Sequence, residues 1–149
     1  MNEFLSPRQI IALREKIKDL DTLIEFCEKI PEDQWCTNFF YRNTDEGRKY
    51  CFAGLLGARE NRLIPRRLIK VMKESLPGYV FEDDLYPSII VDVNDGSEMS
   101  LHYNTTEDYV EKITGMVDLN SGTPKSRVLD FLNKINYEQI NMQTKQENP

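Results

Sequence analysis

Apolar residues recur at steps of three and four from early in the chain: Ile10, Leu13, Ile17, Leu20, Ile24 and Cys27. That spacing draws one stripe down a helix and puts Cys27 on its buried side. The preceding "SPRQ" supplies a start, with Ser6 to cap, Pro7 at the first helical position and Gln9 to complete a capping box. Pro31 stops the helix, and Asp19 to Asp21 mark a candidate break inside it.

The helical period fades over "QWCTNFFYRNTDEGRKY", residues 34–50, where aromatic and β-branched residues flank "NTDEG". This reads as an irregular hairpin or ordered loop. A second helix is expected over about 51–62, and a third from Pro65 to the stop at Pro77-Gly78. The third divides cleanly, with Leu68, Ile69, Val71, Met72 and Leu76 on one side and Arg66, Arg67, Lys70 and Lys73 on the other.

Further on, "VDVNDG" (91–96) and "VDLNSG" (117–122) repeat an apolar–acidic alternation that ends in Asn-x-Gly, which tolerates the positive φ of a turn or helix end. An extended segment is expected at 89–93, and helical sequence follows each repeat. In the last helix Thr123 caps, Pro124 leads, and Val128, Leu129, Leu132 and Ile135 form the buried stripe. The polar stretch 136–149 is expected to fray. These elements describe a mainly α (α+β) fold: one compact domain over 1–135, with five to six helices and a short irregular β element.

A chain of 149 residues with 40% apolar and 10% aromatic residues can bury a core without staples. Its apolar runs are too short for a membrane span of about 20 residues, and its N-terminus lacks the pattern of a secretory signal. Cys27, Cys36 and Cys51 match no zinc spacing and read as reduced thiols, so a cytoplasmic location is expected, with no metal and no cofactor. With 19 basic and 25 acidic residues the net charge is −6, which argues against general nucleic-acid binding but leaves room for a local basic patch.

That patch is the third helix. Arg66, Arg67 and Lys70, with Arg59 and Arg62 just before them, are the one basic concentration in an acidic chain. The plain reading is a solvated helix face, since charged residues are mostly exposed. The functional reading is a site for phosphate or a carboxylate-rich partner, because clustered guanidinium groups bind both through paired hydrogen bonds.

Cys51, between the 34–50 element and "FAGLLGA", poses a similar choice. A helix start and nearby Arg48 and Lys49 would favour its thiolate, and His102, the sole histidine, would be the only candidate base. Free cysteine is nevertheless among the most buried residue types, so packing is the preferred reading. The setting resembles the nucleophile position of papain-like NlpC/P60 hydrolases but lacks their Asp-Cys-Ser-Gly signature. A calcium loop in "DVNDGSEMSLHY" fails on the positions of Gly96 and Tyr103, and "GLLGARE" lacks the ending of a phosphate loop.

Trp35, the acidic turn Asp45-Glu46-Gly47 and Cys51 leading "CFAGLLGA" together resemble the core of DUF6197-type small bacterial and phage proteins. An Asn-Asp element (Asn94-Asp95, or Asn120-Ser121) and the Thr123-Pro124 helix with Val128, Leu129 and Leu132 extend the likeness. The resemblance implies a small helical protein of phages or mobile elements and supplies no reaction.

The preferred expectation is a non-enzymatic binding protein that sequesters a phosphate-bearing small molecule or inhibits a host protein. Its site would comprise Arg59, Arg62, Arg66, Arg67 and Lys70, with Trp35, Phe39, Phe40 and Tyr41 as stacking partners; for Trp35, core packing is the stronger reading. The first alternative is a thiol hydrolase or transferase using Cys51 and His102. The second is acidic mimicry of nucleic acid through Glu82, Asp83, Asp84, Asp92 and Asp95. Self-association into a homo-oligomer is compatible with all three.

Overall fold

The computed structural model describes residues 3–59, 64–75, 93–96 and 121–147. The described chain is mostly helical, with one small two-stranded antiparallel sheet. Its elements are α1 (Pro7–Arg14), α2 (Leu20–Lys29), a 3-10 turn (Glu32–Gln34), β1 (Tyr41–Thr44), β2 (Gly47–Tyr50), α3 (Phe52–Leu55), α4 (Arg66–Ser75) and α5 (Pro124–Glu147). Among the described residues no helix is long and apolar enough to cross a membrane.

The capping box at the first helix forms as its sequence requires. Ser6 Oγ accepts from the Gln9 amide at 3.2 Å, and Gln9 Oε1 accepts from the Ser6 amide at 2.7 Å. The continuous stripe is, however, carried by two helices rather than one. Asp19 has extended backbone and builds a second capping box with Thr22, with Oδ1 2.9 Å from the Thr22 amide and Thr22 Oγ1 3.0 Å from the Asp19 amide. An acidic residue that satisfies orphan amides starts a helix better than it continues one. Ile10, Ile17, Leu20, Ile24 and Cys27 still all reach the core, because the bend keeps their side chains pointing the same way.

The expected second helix is also shorter than predicted. α3 is a single turn, Phe52–Leu55, closed at Gly57 with φ +110°. In α4, Leu68, Ile69, Val71 and Met72 are buried while Arg66, Arg67, Lys70 and Lys73 are exposed, as the face division requires. In α5, Val128, Phe131, Leu132 and Ile135 are buried, and Thr123 Oγ1 accepts from the Ser126 amide at 3.2 Å. The helix continues to Glu147. α2 packs on both α5 and α4.

Of the segment expected to be extended at 89–93, only Val93 is described, and residues 93–95 are helical. Gly96 and Gly122, which end the two Asn-x-Gly repeats, have φ of +90° and +79°. Arg127 brings these repeats together. It is 8% exposed, and its guanidinium donates to four backbone carbonyls: Val93 at 3.1 Å, Asn94 at 2.7 Å, Ser121 at 3.2 Å and Gly122 at 3.0 Å. Burial lowers its pKa, and Asp95 opposes that shift.

Two buried amides complete the frame. Gln34 donates to the carbonyls of Leu5 (2.8 Å) and Arg48 (2.9 Å) and accepts from the Leu5 amide (3.0 Å). Asn94 accepts from the Phe52 amide (3.0 Å) and donates to the Cys36 carbonyl (2.9 Å) and Asp95 Oδ1 (2.8 Å). Both side chains are fully buried. Buried amides satisfied in this way fix one arrangement, since any shift would orphan them.

Candidate functional site

The hairpin sets one wall of a cleft. Its register pairs Tyr41 with Tyr50 and Asn43 with Arg48. Side chains alternate faces along a strand, so these four residues share one side of the ribbon. On that side Arg48 Nε donates to Asn43 Oδ1 at 3.0 Å, and the Arg48 guanidinium carbon lies 4.3 Å from the centre of the Tyr41 ring. A cation over a ring face at this distance is favourable and orients both groups.

The facing wall is α1. Pro7, Ile11 and Arg14 stand at positions i, i+4 and i+7, hence on one helical face, and all three line the cleft. Arg14 Nε donates to the Leu55 carbonyl at 2.7 Å, which ties the end of α1 to α3. Gly54, Gly57, Ala58 and Arg59 form the floor and the remaining edge. The cleft holds about 40 Å³, against the ~10–15 Å³ that one water needs.

Three guanidinium groups from three elements converge here. Arg48, Arg14 and Arg59 each act electrostatically on the Tyr50 hydroxyl in the sense that favours phenolate. Burial outweighs them and raises the Tyr50 pKa. Burial also lowers the pKa of Arg14; Tyr50 and Glu15 oppose that shift, and the positive charges of Arg59 and Arg67 add to it. Among the described residues no carboxylate pairs with Arg14, Arg48 or Arg59; an ion pair that does form, Lys70–Glu74 at 3.9 Å, lies on the exposed face of α4. Arg14 and Arg48 are oriented through Nε by the Leu55 carbonyl and Asn43, and Arg48 also donates to the Tyr50 hydroxyl; their remaining N–H donors can meet another partner.

Of the residues expected at the site, Tyr41 and Arg59 line this cleft. Arg66 and Lys70 are exposed on α4, and Lys70 faces Glu74. Arg67 is exposed yet spends its guanidinium on the first helix, donating to the Ile17 carbonyl and to the Arg14 carbonyl at 3.1 Å. Arg62 lies outside the described residues. Trp35 is no stacking platform. It is 5% exposed, its ring centre lies 6.3 Å from that of Phe52, and Nε1 donates to the Ile30 carbonyl at 3.4 Å. The backbone of Phe40 lies directly against Gly54. Phe39 is exposed and Phe40 half-buried, and neither lines the cleft.

Cys51 is a helix cap. Its Sγ accepts from the Gly54 amide at 3.4 Å, the side chain is buried, and burial pushes the thiol up to about 12. The Phe52 amide goes to Asn94, so the start of α3 is satisfied from within. A thiol held this far from ionisation is a poor nucleophile at neutral pH. His102 lies outside the described residues, as do Glu82, Asp83, Asp84 and Asp92. Asp95 is engaged internally, accepting from Asn94 and from the Asn38 amide at 3.4 Å.

Thiol labelling tests this reading. Cys36 is half-exposed, and burial raises its thiol to about 11, whereas Cys27 and Cys51 are buried. Iodoacetamide on the folded protein is therefore expected to modify Cys36 first, at a rate still climbing beyond pH 9, and to reach Cys51 only on unfolding. Peptide mass spectrometry showing Cys51 labelled ahead of Cys36 at neutral pH would contradict the capping role.

Sequence reasoning missed Arg14, Arg48 and Tyr50. The alternation across the hairpin was the available signal for Arg48 and Tyr50, once the turn at Asp45-Glu46 is taken as the reversal. Nothing local marks Arg14, which is held at the cleft by its hydrogen bond to the Leu55 carbonyl of α3. Among the described residues no group of three or more His, Cys, Asp or Glu side chains is placed to hold a metal ion. No protein-family model, curated protein or solved structure matches the chain.

Proposed function

We propose that this protein is a non-enzymatic binding protein that holds the oxyanion group of a phosphate-bearing small molecule between Arg14, Arg48 and Arg59. The observation that carries the reading is three guanidinium groups gathered around the Tyr50 hydroxyl with no carboxylate partner among the described residues. Cations brought together without counter-charge repel one another, and a bound anion relieves that cost. Charge-assisted, forked hydrogen bonds suit tetrahedral oxyanions. The cleft has room for more than one water, and Arg14, Arg48 and Arg59 all line it. Sequestration of such a molecule would suit a binding protein of phage or mobile-element type.

Calorimetry with inorganic phosphate tests the reading. The wild type is expected to bind with a dissociation constant around 1 mM, roughly 4 kcal/mol for so small an ion. Affinity should weaken as salt rises. Arg48→Ala and Arg59→Ala should each weaken binding roughly tenfold, while Lys70→Glu, on the α4 face, should leave it almost unchanged. The reverse pattern, with the α4 variant losing the ion and the cleft variants keeping it, would move the site to α4.

A further inference from the structure

The cleft has an apolar side that an inorganic ion does not use. Ile11 is 40% exposed although its neighbour Ile10 is fully buried, and it stands outside the core cluster. One turn before it on α1 stands Pro7, also exposed, and one turn after it stands Arg14. A single helical face thus runs from apolar to cationic along the wall of the cleft. A lone exposed isoleucine needs no explanation; one that borders an anion-sized cavity, in line with a guanidinium, does.

We propose that the ligand is a phosphate monoester whose phosphate is carried on an apolar or aromatic group, that group lying along Pro7 and Ile11. The inference rests on the reading of the cleft as an oxyanion site and adds what the ligand carries beyond the phosphate. Two features set the class. The cleft is small, about 40 Å³, and opens to solvent, so a larger attached group extends along its wall, which on α1 is hydrophobic. Three cations, from α1, β2 and the segment after α3, line it, and their combined charge favours a group with several terminal oxygens and more than one negative charge. A monoester offers three such oxygens and a charge near −2 at pH 7. A diester offers two oxygens and a single charge.

Covering about 50 Å² of apolar surface corresponds to roughly a tenfold gain in affinity. Calorimetry on the full chain with inorganic phosphate, glycerol 2-phosphate, phenyl phosphate and diphenyl phosphate reads this directly. Phenyl phosphate is expected to bind roughly tenfold tighter than glycerol 2-phosphate, and diphenyl phosphate more weakly than either. Ile11→Ser should reduce the phenyl advantage over glycerol 2-phosphate to about threefold or less. If the variant does not fold, the four ligands on the wild type decide the matter alone. Equal binding of phenyl and glycerol phosphates, with inorganic phosphate still bound, would overturn the apolar shoulder and leave the oxyanion site standing. Diphenyl phosphate binding as tightly as phenyl phosphate would overturn the monoester assignment. Failure of every phosphate to bind would remove both readings.

Discussion

Replacing Arg127 with methionine is expected to destabilise the fold by about 4 kcal/mol, measured as a fall in the urea midpoint at unchanged slope. Methionine keeps much of the aliphatic stem and removes the guanidinium, so packing changes little and hydrogen bonding changes most. Four carbonyls lose their donor. Those of Ser121 and Gly122 belong to exposed residues and can turn to water. Those of Val93 and Asn94 belong to buried residues, and an orphaned buried acceptor costs about 1–3 kcal/mol.

The opposing effect is the cost of burying a charge, which replacement by an apolar side chain would recover. Among the described residues the charge has no direct carboxylate partner and Asp95 is the one acid that acts on it, so the hydrogen bonds to carbonyls are its main compensation. Arg127→Lys should recover about half of the loss, because one ammonium group has three donors and no fork. A methionine variant as stable as the wild type would mean that desolvation cancels the four bonds, and the clamp would then contribute no net stability.

Gly54→Ala is the second large effect, at about 3 kcal/mol or more. A Cβ on residue 54 would sit 1.8 Å from the Phe40 carbonyl oxygen and 2.7 Å from its carbon. Both are backbone atoms, so no side chain can turn aside. That same oxygen accepts from the Cys51 amide at 3.3 Å, so displacing it loosens the junction between hairpin and α3. Alanine ordinarily favours a helix over glycine by roughly 1 kcal/mol. At this position the close approach reverses the preference. Thermal unfolding of the variant measures the effect, and a midpoint at or above that of the wild type would show that hairpin and α3 can separate at little cost. Any shift of α3 also moves the Leu55 carbonyl that orients Arg14, so phosphate affinity should fall together with stability.

Local chemistry carried a good share of the architecture. The Ser6–Gln9 box, the Pro124 start, the two faces of α4 and the reversal at Asp45-Glu46 depend on residues within a few positions of one another, so each was legible before any packing was known. The errors arose where two local signals competed. At Asp19 the apolar period favours one long helix and the carboxylate favours a new start; the capping box with Thr22 prevails because it satisfies amides that the continuing stripe would not. After Cys51 the small residues suggested a long helix, but their smallness serves the approach of the Phe40 backbone.

By itself the sequence determined a mainly helical chain with one short irregular β element, a buried stripe and an excess of acid, because periodicity, capping and composition act through neighbours. Only the tertiary structure decided which arginines are available. Arg67 and Arg127 are consumed by backbone carbonyls, whereas Arg14 and Arg48 are oriented through Nε and join Arg59 beside Tyr50. The charge on a guanidinium is written in its residue type, but whether that charge meets a carbonyl or an open cleft depends on chain segments dozens of residues away.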